Sequence, residues 1–301
     1  MANTVRVFRI VSMTMASFCL VAELAAQTHA FAQQPDRQLS FPEDRQVGVL
    51  ELYPSNNVSE LTTDDAESVP AFGLVAIPAG RFVNLKVGAA QELDFLERLP
   101  GDALQKLEIR KRRISKAVID RISRFEKLQE LRFDWCQFES DAFDDAAVLG
   151  DLLKLTVTSD EQSKQHQHSL ATWLSRLPRM EYLYAKPALD AIAFKTIGGH
   201  PALKTITIDV DKGRQAIVFK MVQQLPSLTG LIVNVADDVS PRDLDRLAAV
   251  PNLELLTLVH GTVDGELLRN IGQRGNIQNL RLLVIRVGES RIRFHQWCRH
   301  A

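Results

Sequence analysis

The sequence predicts an α/β solenoid, with a parallel β-sheet on the concave face and short helices on the convex face. Three observations predict it. First, a block of an apolar residue, two variable residues, an apolar residue, one variable residue and an apolar residue recurs nine times, starting at Phe82, Leu104, Leu128, Leu152, Met180, Leu203, Leu228, Leu253 and Ile277. The steps are 22, 24, 24, 28, 23, 25, 25 and 24 residues, and self-similarity at such a period marks a stacked repeat. Second, the last two apolar residues of each block are two apart, as side chains on one face of a strand must be. Third, between blocks the apolar spacing changes to three and four, the signature of a helical return.

Each block reads as one short strand. In Leu203-Lys-Thr-Ile206-Thr-Ile208, Ile206 and Ile208 point to the core while Thr205, Thr207 and Asp209 point outward. Strands stacked about 4.8 Å apart give one continuous sheet. Leu128, Leu131, Phe133, Cys136 and Phe138 reproduce the pattern Leu-x-x-Leu-x-Leu-x-x-(Asn or Cys)-x-Leu, and the chain resembles the leucine-rich repeat family there. The resemblance covers about two thirds of the chain and is closest to the cysteine-containing, ribonuclease-inhibitor-like type. It implies a horseshoe that binds protein or peptide. Other repeats depart at the ninth position, where Arg112, Asp160, Asp211, Ala236, Gly261 and Ile285 stand.

Helices are expected over Val118–Phe125 after Ser115, over Leu170–Leu177 after Ser169, over Leu244–Val250 after Ser240-Pro241, and over Leu267–Ile271 after Asp264. Serine suits a helix cap and proline a first turn. Pro178, Pro201, Pro226 and Pro251 each precede a new block by two residues, where proline ends a helix. The long 28-residue step contains the polar run 159–168, expected as an extruded loop. His166 and His168 in that run have ligand chemistry, but a solvated polar loop is the plainer reading, and no metal or cofactor is expected.

Residues 1–32 are organised differently. Arg6 and Arg9, an apolar stretch from Ile10 to Val21, and Ala30-Phe31-Ala32 read as a signal peptide cleaved near Ala32. An uncleaved anchor is the rival, although about a dozen apolar residues fall short of the roughly 20 that a span needs. The expected mature chain, secreted or in a periplasm or envelope, has no membrane span. It comprises a cap over 33–80, repeats over 81–287 and a basic tail over 288–301. Removing Arg6, Arg9 and Glu23 leaves 34 basic and 36 acidic side chains, a charge of −2 that gives no reason to expect nucleic acid. Cys136 and Cys298 lie too many strands apart to pair, so Cys136 is expected as a buried thiol.

Open solenoid ends need covering. Phe72–Ile77 with the block at Phe82 reads as a hairpin, and Val47–Leu52 as a further strand. The polar, acidic stretch 55–68 between them reads as a flexible loop, whose Asn57-Val-Ser59 is a glycosylation acceptor in a eukaryotic host only. At the other end, the tail from Ser290 either covers the last repeat or frays. Its His295, Cys298 and His300 form a loose group of possible ligands, too few in one short tail for a closed site.

Function is expected on the outward strand residues. The first third alternates charges, such as Lys106, Glu108, Arg110, Glu130, Arg132 and Asp134, which pair across strands. The middle presents Tyr182 and Tyr184, with Trp135 in a nearby loop. Tyrosine, tryptophan and arginine most often anchor interfaces, so Arg132, Trp135, Tyr182 and Tyr184 are the candidate partner-binding residues. Cross-strand packing is the plainer account of such aromatics. The sequence has no Gly-x-Ser-x-Gly, His-Glu-x-x-His, phosphate-loop or Cys-x-x-Cys motif, and no catalytic residue is expected. An exported, non-catalytic recognition module is therefore expected. The alternatives are an architectural envelope or matrix component, or a hydrolase using the 159–168 loop or the tail.

Overall fold

The computed structural model describes residues 36–54, 66–89, 92–159, 164–186, 189–210, 215–235, 246–247, 250–259, 262–263, 277–287 and 290–298. The expected signal peptide, Asn57, most of the helix expected near Leu244, and the helix over 267–271 lie outside these residues, as do the side chains of His166, His295, Cys298 and His300.

Four strands come first: β1 (Arg37–Ser40), β2 (Val49–Tyr53), β3 (Glu67–Pro70) and β4 (Leu74–Ile77). Next come β5 (Phe82–Val87), β6 (Lys106–Arg110), the two-residue β7 (Arg113–Ile114), β8 (Glu130–Asp134), the two-residue β9 (Gln137–Phe138) and β10 (Lys154–Thr158). They continue with β11 (Tyr182–Lys186), β12 (Thr205–Val210), β13 (Gly230–Val235), β14 (Leu255–Val259), β15 (Thr262–Val263) and β16 (Asn279–Val287), before the terminal β17 (Ser290–Cys298). A 3₁₀ turn spans Asp94–Arg98, and helices span Lys116–Ile122 (α1), Lys164–Leu174 (α2), Ala191–Ile197 (α3) and Gln215–Val222 (α4).

One long sheet runs in the order β3, β2, β5, β6, β8, β10, β11, β12, β13, β14, β16, with every neighbouring pair from β5 to β16 parallel. The architecture is mixed α/β, repeat-like and mostly parallel, and among the described residues it does not close into a barrel. A recurring backbone device sets the step. The carbonyls of Gln105, Gln129, Leu153, Glu181, Lys204, Thr229 and Glu254 each accept from two successive N–H groups at the start of the following repeat, at 2.8–3.1 Å.

Register places like residues side by side. Leu50, Leu85, Leu107, Leu131, Leu155, Leu183, Ile206, Leu231, Leu256 and Leu280 form one ladder across ten strands. Val87, Ile109, Phe133, Val157, Ala185, Ile208, Val233 and Leu258 form a second. All of these are buried, as are the nine block-starting residues, and helix residues Ile119, Trp173, Phe194 and Phe219 complete the same core. An aromatic row from Phe133 through Phe138 and Phe143 to Trp173, with centroids 5.3, 5.3 and 5.4 Å apart, ties the strand layer to α2.

The structure corrects several expectations. Phe72–Ile77 does not form a hairpin with the Phe82 strand: β4 pairs antiparallel with β1, while β5 is flanked by β2 and β6. Both edges of β5 are thus already occupied. The run 159–168 is not wholly a loop, because the helix α2 begins at Lys164, six residues before the expected start at Leu170. Lysine and glutamine are good helix formers, and Gln167 and His168 find partners on the next repeat that hold this turn. Ser115 precedes α1, but its side chain makes no capping bond; its carbonyl accepts from Val118 and Ile119 instead. Helices α3 and α4, not expected individually, fill the two following repeats, with Asp190 capping α3 through the Ala193 N–H at 2.9 Å. At the carboxyl end, β17 pairs antiparallel with β16 along its length. Among the described residues no helix is long and apolar enough to cross a membrane.

Candidate functional site

The helices cover one face of the sheet, and the other carries the outward residues in register. One row runs Lys106, Glu130, Lys154, Tyr182, Thr205; the next runs Glu108, Arg132, Thr156, Tyr184, Thr207. Strands about 4.8 Å apart bring each residue to contact distance of its row neighbours.

The charged third is less solvated than its residue types suggest. Asn84 is fully buried, and Glu108 and Asp134 nearly so. Glu51 of β2 stands opposite Asn84, whose Nδ2 donates to Glu51 Oε2 at 2.9 Å and to Glu108 Oε1 at 3.3 Å. Tyr53 donates to Glu51 at 2.7 Å, and Lys86 pairs with the same carboxylate. Lys106 Nζ lies 3.2 Å from Glu108 and 3.1 Å from Glu130. Burial acts to lower the Lys106 pKa, but the charges and hydrogen bonds of Glu130 and Glu108 outweigh it and hold the ammonium above its ordinary value. Arg110 bonds Asp134 at 3.2 Å, and Arg132 Nε donates to Asp134 Oδ1 at 2.7 Å. Burial likewise opposes, and Asp134 prevails in, the raised pKa of Arg132. Each of these carboxylates thus has a cation against it, Lys86 at Glu51, Lys106 at Glu108 and Glu130, and Arg110 and Arg132 at Asp134.

The middle of the face carries the candidate aromatics. Trp135 follows β8 in the left-handed region, with φ of 56°, and 44 % of its surface is exposed. Its backbone N–H donates to Thr158 Oγ1 at 2.7 Å, and Thr158 in turn donates to the Phe133 carbonyl at 3.2 Å, which pins the turn. The Lys186 ammonium sits 5.1 Å from the Trp135 ring centroid, within cation–π range, and pairs with Asp209 at 3.1 Å. Tyr184 donates to Asp209 Oδ1 at 3.4 Å, and Asn234 donates to the same oxygen. Burial, with the Asp209 charge and hydrogen bond, pushes the Tyr184 hydroxyl up to about 12. Tyr182 shares a hydrogen bond of 2.9 Å with Thr207.

Trp135 and Tyr184 are thus joined through Lys186 and Asp209. Arg132 lies in the row of Tyr184, with Thr156 between them, but is tied to Asp134 on its own strand. Lys186 and Asp209 are partners that reading residue types alone did not single out. The signal available was their place at matching outward positions of neighbouring blocks, with opposite charge.

The His168 ring bonds Asp190 at 2.9 Å, so it acts as a strut between α2 and α3. Burial favours the neutral acid, yet the Ala193 N–H and the His168 ring hold the Asp190 carboxyl below its ordinary value. No cluster of three or more metal-ligating side chains exists among the described residues. Cys136 is a buried free thiol whose Sγ meets the Ile109 carbonyl at 3.4 Å; burial pushes its pKa up to about 11. No model of a known family matches the chain, and a search of curated proteins finds no match.

Proposed function

We propose that this protein is a non-catalytic recognition module: a leucine-rich-repeat horseshoe that binds a protein or peptide on the concave, helix-free face. One observation carries the reading. Trp135, Tyr182 and Tyr184 stand on the polar face of the sheet, outside the hydrophobic core, with both tyrosine hydroxyls hydrogen-bonded and Lys186, tied to Asp209, against the Trp135 ring. Large amphipathic side chains fixed in this way lose little conformational entropy on contact with a partner. Arg132 extends the same patch with a guanidinium suited to partner carboxylates. On this reading the signal peptide expected over residues 1–32 exports the module to a compartment outside the cytoplasm. Affinity capture from that compartment tests the reading, comparing the native chain with Tyr182→Ala/Tyr184→Ala. A partner lost from the folded variant supports it; one recovered in equal yield places the binding surface elsewhere.

A further inference from the structure

A cleft adjoins this patch at the turns that follow β6 and β8. It has a volume of about 520 Å³ and is lined by Lys111, Arg112, Arg113, Trp135 and Gln137. The cations belong to an unbroken run, Arg110-Lys-Arg-Arg113, located where the repeat pattern calls for asparagine or cysteine and has Arg112 instead. Two of the four are matched locally, Arg110 by Asp134 and Arg113 by Glu139 at 3.1 Å. Lys111 and Arg112 have no carboxylate partner among the described residues. The Arg112 Nε is buried with no hydrogen-bond acceptor there, while its Nη1 donates to the Ala89 carbonyl at 2.6 Å.

The backbone holds this arrangement open. Lys111 has φ of 51°, and its N–H donates to the Asp134 carbonyl at 2.8 Å; Trp135, one repeat on, repeats the conformation at 56°. Two successive side chains are thus kept in a region that costs about 1–2 kcal/mol for a residue with a Cβ. Register between Arg113 and Gln137 on the short β7–β9 ladder fixes the third cation beside an amide.

We infer that this cleft receives an acidic segment of the partner polypeptide, whose carboxylates meet Lys111, Arg112 and Arg113 while its carbon chain lies against the Trp135 indole. The inference deepens the recognition function and rests on it, sharing Trp135 as the wall between the two surfaces. The size of the cleft favours a polypeptide over a free ion: it is many times the roughly 30 Å³ share of a water molecule, and a compact oxyanion leaves the indole wall uncovered. Forked guanidinium donors pair with carboxylates in two-pronged fashion.

The test is fluorescence anisotropy of a labelled hexaglutamate peptide titrated with the full chain at low and at physiological salt. Saturable binding that weakens with salt is expected. Lys111→Glu/Arg113→Glu should weaken it about tenfold or more, and the neutral Lys111→Gln/Arg113→Gln by a smaller factor. Circular dichroism should show unchanged folding, since both side chains are exposed. Tyr182→Ala, whose hydroxyl bonds Thr207 and not the Lys186–Asp209 pair, should leave the peptide affinity within about twofold, so loss of partner capture and loss of peptide binding are separable. Equal affinity in the charge-reversed variant, absence of saturable binding, or displacement by sodium sulfate as effective as unlabelled peptide would overturn the inference.

Discussion

Replacing Leu155 by alanine probes the register of the sheet at a strand paired on both edges. Leu155 is 0 % exposed and lies between Leu131 on one side and Leu183 on the other. Alanine removes three carbon groups, and at about 0.8 kcal/mol for each buried methylene the transfer loss alone is about 2.4 kcal/mol. A cavity walled by two neighbouring leucines adds to this, for a total of about 3–4 kcal/mol. The next residue, Thr156, faces the open side, so Thr156→Ala should cost about 1 kcal/mol or less. Urea unfolding followed by far-ultraviolet circular dichroism gives both values. In a repeat array each interface supports its neighbours, so the Leu155 variant should lose structure in β8 and β11 together. Equal costs at 155 and 156 would refute the alternation and the register built on it.

Other variants test particular contacts. At Trp135, with φ of 56°, glycine should give a variant about 1 kcal/mol more stable than alanine, because both lose the indole and only alanine keeps the left-handed strain; thermal melts in parallel decide it. A Cβ at Gly48 would stand 2.2 Å from the Lys86 carbonyl oxygen, so Gly48→Ala should push β2 from β5 and destabilise by about 1–3 kcal/mol in urea titration. The Cys136 thiol ionises near its ordinary value of about 9 when unfolded and near about 11 when folded. Its contribution to stability is therefore complete below pH 9 and lost as pH rises to 11, and Cys136→Ala should remove that share of the decline. The Tyr184 hydroxyl, pushed up to about 12, acts in the same direction over a higher range, and Tyr184→Phe isolates it.

Much of the fold was legible because strand periodicity is local. Two apolar residues at spacing two, repeated at every block, place the ladders from Leu85 to Leu280 without knowledge of any long-range contact. The cap was not legible in the same way: β1 and β4 are nearly forty residues apart and pair antiparallel with each other, while β2 and β6 take both edges of β5. Polarity misled over 159–168, where Gln167 and His168 look solvated in sequence yet bond across to Asp190. Candidate aromatics could be identified by type, while their partners required register. Lys186 meets Trp135 across two strands, and Tyr184 meets Asp209 twenty-five residues later. Burial of Asn84 and Glu108 was hidden for the same reason, since Glu51 arrives from a cap strand running the other way.

Recognition through the helix-free face is tested most directly by photocrosslinking from two positions. A photoreactive phenylalanine analogue at Thr156, which lies between Arg132 and Tyr184, should form a covalent adduct with the captured partner. The same analogue at Ile192, an exposed position on α3, should form none. Adducts from 192 with none from 156 would contradict the account.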